Sequence, residues 1–402
     1  MRKRTGDLKL IKELNKTLIL DKIRREGPIS RAEIAKIMQI SATTVTSAVS
    51  ELIRDSYVYE DGRGTSIGGR RPILLKVNPN TFFLIGIAID ASKLTIAELN
   101  LNAQVKLKEV YPLEKNLYDS FSSFVIGVIG NFLERYPDLD YCLGISITTQ
   151  GIVDSVNGII LYNPKLNIEN LHLKSLVERQ FNIKTYIDND TNGDILAEKG
   201  FGFYQQSRNL IYVTIGDGVG AGILINDSVF RGFHGGAGEF GHTTIDYNGK
   251  PCSCGNKGCL ENYVSWKAIH TKILTEINNG TSTVILEKTK GDLMKITPGI
   301  FRYALNEGDA LSISILDEVA VYLATGLVNI VSLFNPEKII IGGDLAFDNP
   351  YLIKKVNEHL LTHSLKTLTN GFEVVPTSFG SDYDVVGSGA LLLHELFNFT
   401  LH

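Results

Sequence analysis

Gly235-Gly-Ala-Gly-Glu-Phe-Gly-His242 is followed ten residues on by Cys252-Ser-Cys-Gly-Asn-Lys-Gly-Cys-Leu-Glu261, and this stretch is the most constrained in the 402-residue chain. Three of the four cysteines crowd into eight residues here. The basic N-terminus is followed by no apolar leader, so a reducing compartment is expected, where such crowding points to metal rather than disulfides. Cys252, Cys254 and Cys259 lie on a tight, glycine-containing loop, and His242 offers a fourth donor. Cys3His would be a closed tetrahedral sphere with no place for water, the mark of structural zinc rather than a hydrolytic site. Three reduced thiols in a surface loop is the alternative. Cys142 stands apart in an apolar, strand-like run and is expected in a core.

Outward from this motif the composition divides. Residues 1–76 hold 16 Lys and Arg against nine Asp and Glu, and the rest of the chain 24 against 35. A basic head on an acidic body suits contact with a polyanion, although a solvated helix face gives the same excess. The head reads as three helices. The first carries Leu8, Ile11, Leu14 and Leu18 at a period of three to four and stops at Gly27-Pro28. Ser30-Arg-Ala-Glu33 is a capping box opening the second, and Ser41 caps a third bearing Val45, Val49, Leu52 and Ile53 on one side. Strand-like runs at 57–60 and 73–77 flank a glycine-rich tip, which makes a two-stranded wing and a winged helix-turn-helix.

In such a head the third helix would enter the major groove of DNA and present Ser41, Thr43, Thr44, Thr46 and Ser47. Arg70 and Arg71, between Gly68-Gly69 and Pro72, suit a narrow A·T-rich minor groove. Lys3, Arg4, Arg31 and Arg54 are candidate phosphate contacts. A helical bundle for protein contacts is the competing reading.

With 44% hydrophobic and 21% charged residues, the chain reads as globular, and its length calls for two or three domains. Apolar runs at 82–89 and 320–334 are too short or too interrupted for a membrane span. Strands are expected at 83–90, 94–100, 142–148, 185–187, 210–215 and 338–341, with helices at 120–136, 173–180 and 311–333. This alternation predicts an α/β body of sheets faced by helices.

The Gly235–His242 segment and the Cys-x-Cys-Gly-x-x-Gly-Cys-x-Glu motif resemble the signature of the ROK family (repressors, open reading frames, kinases). The Gly-Gly-Arg-Arg-Pro linker and the head resemble its xylose-repressor-type members in particular. The resemblance implies a two-lobed, actin-like ATPase and sugar-kinase fold behind the winged helix. The head would be 1–77, the first lobe 78–195 completed by a C-terminal helix at 385–402, and the second lobe 196–384 with the zinc site and a dimerisation surface. Carried over residue by residue, Asn189 and Asp190 match the family's sugar-binding pair, and Glu239, His242 and Glu261 grip the far side of the ring. Gly151 falls where relatives place a Pro-Gly turn against the sugar, without the Pro, and Lys165 where they often carry Asn.

Family kinases open the first lobe with Asp-x-Gly-Gly-Thr, so that backbone amides approach the phosphates. This chain reads Asp90-Ala-Ser-Lys-Leu94, and a second loop, Gly216-Asp-Gly-Val-Gly220, has Asp217 where kinases carry a hydroxyl. ATP binding is therefore expected to be lost. The resulting expectation is a cytoplasmic, homodimeric or tetrameric repressor released from DNA by a small sugar inducer, and no enzyme. A sugar kinase with a fused DNA-binding head is the alternative, and a repressor answering to a partner protein or to zinc is a third reading.

Overall fold

The computed structural model describes residues 8–65, 71–113 and 120–397. It begins with α1 (Leu8–Glu26), β1 (Ile29–Ser30), α2 (Arg31–Met38), α3 (Ala42–Arg54), β2 (Val58–Arg63) and β3 (Ile73–Val77). The capping box forms in both directions: Ser30 Oγ accepts from Glu33 N at 3.2 Å, and the Glu33 carboxylate accepts from Ser30 N at 2.9 Å. Gln39 ends α2 in the left-handed region (φ 55°), which turns the chain into α3. Val45, Val49 and Leu52 of α3 are buried as the periodicity predicts.

Two details differ from the sequence reading. The wing sheet has three strands, in the order β1-β3-β2, because Ile29 and Ser30 pair with Leu75 and Leu74. In α1 the buried side chains are Ile19, Leu20 and Ile23, whereas Ile11 and Leu18 are exposed. Of the stripe at Leu8, Ile11, Leu14 and Leu18, Ile11 and Leu18 thus lie outside what α3 and the wing cover. Arg70, Lys3 and Arg4 lie outside the described residues.

The body starts with β4 (Phe83–Ile89), β5 (Lys93–Asn100), β6 (Val105–Pro112), α4 (Phe121–Leu133) and β7 (Cys142–Thr149). A small antiparallel sheet follows, from β8 (Ile152–Asp154), β9 (Ile159–Asn163) and β10 (Ile168–Leu171), then α5 (Leu173–Phe181), β11 (Thr185–Asn189) and α6 (Asp190–Phe201). The first large sheet has the order β11-β7-β4-β5-β6, parallel across its first three strands and antiparallel beyond.

The second half repeats that plan. It comprises β12 (Leu210–Ile215), β13 (Val219–Ile225), β14 (Ser228–Val229), α7 (Glu261–Val264), α8 (Trp266–Asn278), α9 (Val284–Thr289), α10 (Pro298–Asn306) and α11 (Ala310–Phe334). After these come β15 (Lys338–Gly342), α12 (Pro350–His363), β16 (Glu373–Pro376) and α13 (Tyr383–Phe397). The order β14-β13-β12-β15-β16 is the first sheet's order read from the other end, with the same parallel and antiparallel pairings.

Among the described residues α11 alone is long and apolar enough to cross a membrane by length and composition. Its Leu316, Leu323, Leu327 and Val331 are fully buried in the second lobe's core, and each such burial contributes about 1.5–3 kcal/mol. Cys142 is partly buried, and its thiol points to the Gly144 carbonyl at 3.7 Å.

Candidate functional site

The loop after β14 carries Glu239 and a short 3-10 turn, Phe240–His242, and reaches the cysteine segment. Bridges pairing Thr244 with Cys259 and Pro251 with Lys257 fold that segment back on itself. Cys252 N donates to Asn256 O at 2.8 Å, and the chain reverses at Gly255. The donor atoms of His242, Cys252, Cys254 and Cys259 consequently all lie within 4.8 Å of one another. Cys254 Sγ is 3.6 Å from Cys259 Sγ, and His242 Nδ1 is 3.7 Å from Cys252 Sγ. A tetrahedral ion with metal–sulfur bonds of about 2.3 Å needs donor separations of roughly 3.8 Å. Burial and the two neighbouring thiols push the Cys259 thiol up, and a bound cation would offset that by favouring its thiolate. These residues can hold a metal.

His242 gives Nδ1 to the thiols, which leaves Nε2 for the cleft, where it lies 4.0 Å from Glu239 Oε2. Glu261, the first residue of α7, sends Oε2 to Val219 N at 3.3 Å and helps raise the Glu239 carboxyl, whose main cause is burial. Opposite stands Asp190, the first residue of α6. Burial lifts its carboxyl to about 6, against the hydrogen bond from Thr191 N and the charge of Lys165, while Glu239 adds to the lift. Asn189 caps α6: its Oδ1 accepts from Thr191 N at 3.0 Å, and its Nδ2 donates to Gly151 O at 2.9 Å. One amide hydrogen of Asn189 remains for a ligand. Gly151 has φ 93°, and a Cβ there would stand 2.2 Å from Tyr162 O, so the turn admits only glycine without the proline of its relatives.

Asn189, Asp190, Glu239, His242, Glu261 and Gly151 are thereby brought to one cleft. Lys165 joins them. A Cβ at Gly218 would stand 2.7 Å from Lys165 Nζ and 3.2 Å from Glu261 Oε2, so ammonium and carboxylate flank that glycine. The sequence marks Lys165 only as a departure from the family, and its reach into the cleft depends on the fold of β9 and the turn after it.

The adjoining half of the cleft is lined by Asp90, Asp190, Asp194, Asp217, Asp344 and Asp384, together with Gln150 and Tyr383. Burial raises the carboxyls of Asp194, Asp344 and Asp384. Asp90 Oδ1 accepts from Ser92 N at 2.6 Å and Lys93 N at 2.9 Å, so the amides of this turn are already satisfied by its own carboxylate. Phosphates would meet carboxylates here instead of free amides.

On the head, Ser41, Thr43, Thr46 and Ser47 are exposed at the start of α3 and Thr44 is half-buried. Ser41 Oγ caps the helix by accepting from Thr44 N at 3.0 Å, and Thr46 Oγ1 donates back to Ala42 O at 2.8 Å. Thr43 and Ser47 thus keep their hydroxyls for an outside partner, and Thr46 offers chiefly its methyl. Arg31 binds Glu60 of the wing at 3.0 Å, and Arg71 is exposed where the chain re-enters β3.

A winged helix-turn-helix head joined to a two-lobed α/β body, together with the relatives that follow, defines a sugar-responsive transcriptional repressor. The chain belongs to the ROK family, whose model matches residues 84–395, and residues 13–60 match the MarR family. It is 33% identical to a xylose repressor of Caldicellulosiruptor bescii, over 98% of this chain and 99% of the relative. A xylose repressor of Bacillus spizizenii is 31% identical, over 97% of each chain. The solved structure of a ROK family transcriptional regulator, described as a homolog of the E. coli MLC protein, superposes with a TM-score of 0.84 at 29% identity, over 96% of this chain and 97% of that one.

Proposed function

We propose that this chain is a cytoplasmic homodimer that holds a pseudo-palindromic operator through its two winged helices and lets go when a monosaccharide or short glycoside fills the cleft. Asn189, Asp190, Glu239, His242 and Glu261 bind the ring: carboxylates accept from adjacent hydroxyls, and each such bond contributes roughly 1.5–3 kcal/mol. D-xylose is the first sugar to test, since relatives 31% and 33% identical are named for it. A zinc ion held by His242, Cys252, Cys254 and Cys259 would supply no reaction, only a fixed ring orientation for His242 toward the cleft. Ser41, Thr43, Thr44, Thr46 and Ser47 face the major groove, with Arg70 and Arg71 in the minor groove and Arg31 beside a phosphate.

The observation that carries this reading is the closed turn at Asp90, whose carboxylate already occupies the Ser92 and Lys93 amides beside an acid-lined space. A carboxylate about 4 Å from a phosphate oxygen costs on the order of 1–4 kcal/mol, which supports a cleft that keeps sugar and excludes ATP. Sugar changes operator affinity only by as much as it discriminates between the open and closed lobes. The test is electrophoretic mobility shift on the DNA upstream of the protein's own gene, across D-xylose, D-glucose and N-acetylglucosamine, with and without ATP. Release by one sugar without any need for ATP is expected. Phosphorylation of a monosaccharide at an ordinary enzymatic rate would overturn the reading.

A further inference from the structure

Two helices that start beside the cleft end against one side chain of the DNA-reading head. α6 begins with Asp190 in the sugar cleft and runs 12 residues, about 18 Å, to Phe201. α13 begins beside the same cleft with Tyr383 and Asp384 and ends at Phe397. The two helices cross in close contact. A Cβ on Gly193 would stand 3.0 Å from the Gly387 carbonyl, and one on Gly387 2.6 Å from Asp194 Oδ1. Their far ends converge on Arg24, in the last turn of α1. Its Nη1 donates to Gly200 O at 3.1 Å, and its guanidinium lies 4.7 Å from the ring centre of Phe201 and 5.3 Å from that of Phe397. Asp21 holds the other edge, with Nε at 3.1 Å and Nη2 at 2.8 Å.

We infer that Arg24 is the positioning residue through which the state of the sugar cleft reaches the DNA-reading head. A planar cation bonded to the last turn of one helix and stacked on the terminal rings of two is sensitive to their relative position, because hydrogen bond and ring contacts are both directional. Elsewhere the head is held to the body by Tyr57 stacked on Phe82 at 4.2 Å and by a core that Ile19, Ile23 and Leu75 share with Leu84, Leu99 and Leu393. Beside Arg24 a pocket of about 350 Å³, lined by Arg25, Lys199, Arg208 and His394 among others, opens between α1 and the far ends of α6 and α13, so the guanidinium has room to leave its seat. From Arg24 the connection continues along α1 to α3, which is tied to it by Lys16 Nζ on Asp55 at 2.9 Å and by the packing of Ile19 and Ile23 in the same core as Val45 and Val49. Removing Arg24 strands no acid, because Asp21 also binds Arg25 Nε at 2.7 Å.

This inference rests on the sugar-release reading, and the experiment separates the two. Operator Kd is measured by fluorescence anisotropy with and without saturating D-xylose, and D-xylose Kd by calorimetry, on the full chain and on Arg24→Met and Arg24→Lys. For the wild type a tenfold or greater loss of operator affinity with sugar is expected. Arg24→Met should keep both single-ligand Kd values within about threefold, while its sugar-induced change falls below twofold. Arg24→Lys, which keeps the charge and one donor without the plane, should restore part of the response. A merely structural role would shift the Kd values together and leave the fold-change intact. If Arg24→Met melts below the assay temperature, Phe201→Leu with Phe397→Leu replaces it, with the same expectation. A variant as responsive as the wild type overturns the role of Arg24 alone, whereas a wild type indifferent to D-xylose overturns the reading beneath it.

Discussion

Arg231 forks onto Asp188, with Nε at 2.8 Å and Nη2 at 2.7 Å from the same oxygen, and Asp188 is 1% exposed. The pair fastens the loop after β14, in the second lobe, to the end of β11 in the first, next to Asn189 and Asp190. Asp188 also accepts from Asn189 N and from Asn192 Nδ2, so three neighbours share one buried carboxylate. Arg231→Ala is expected to cost about 2–4 kcal/mol and to weaken sugar binding, because a buried charge loses its cation while keeping two neutral donors. Urea denaturation measures it, and a cost below 1 kcal/mol would mean the pair is solvated in solution.

Asp190 pairs a stability cost with its proposed ligand role. Its folded value of about 6 exceeds its ordinary 3.8, chiefly through burial. A carboxyl raised in this way favours the fold fully below pH ~4 and loses that contribution as pH climbs through ~6. At pH 7 the charged group therefore costs stability. Asp190→Asn should stabilise the protein by about 1–2 kcal/mol at pH 7, less than a sealed group would give because the cleft admits water, and by nothing near pH 4. The same change should leave operator binding intact and abolish release by sugar. Thermal melts across pH and a sugar titration of the operator complex check both halves; intact induction would remove Asp190 from the site.

Loss of the metal should be felt in two places. With Cys252→Ser, metal content by mass spectrometry is expected to fall well below the one ion per chain anticipated for the wild type. The segment from Thr243 to Leu260 should become open to protease. Sugar affinity should drop roughly tenfold, the worth of one hydrogen bond to a charged group, as the His242 ring loses its fixed direction. Unchanged sugar affinity at zero metal would separate the ion from the cleft.

On the DNA side, Arg70→Ala combined with Arg71→Ala should weaken operator binding and flatten its dependence on salt by about one in log–log slope for each arginine in each head. Anisotropy titrations between low and physiological salt give that slope. An unaltered slope would take both arginines off the DNA.

Much of this was legible in the sequence because it is local. The Ser30–Glu33 box, the cysteine spacing and the missing glycines after Asp90 are each complete within about ten residues, and each has the structural counterpart its chemistry demands. The parts that were not legible are decided at a distance. α1 carries apolar residues around much of its surface, and what it packs against, not its periodicity, selects Ile19, Leu20 and Ile23 over Ile11 and Leu18. β1 is two residues long and exists only because β3 lies beside it. β6 interleaves Lys106 and Lys108 with Val105 and Leu107 on an outer strand and leaves Leu107 and Val110 exposed, too weak a pattern to read alone. Lys165 and Arg231 look like ordinary surface cations until the turn after β9 and the loop after β14 bring them to Glu261 and Asp188.

The self-satisfied turn at Asp90 has a thermodynamic corollary. Nucleotide hydrolysis would make lobe closure a directional, fuel-driven cycle; in the repressor proposed above, which uses none, closing and opening would be one reversible equilibrium. Occupancy of the operator would then track the instantaneous sugar concentration in both directions with no memory of past exposure, and withdrawing the sugar would reset the molecule at no metabolic expense.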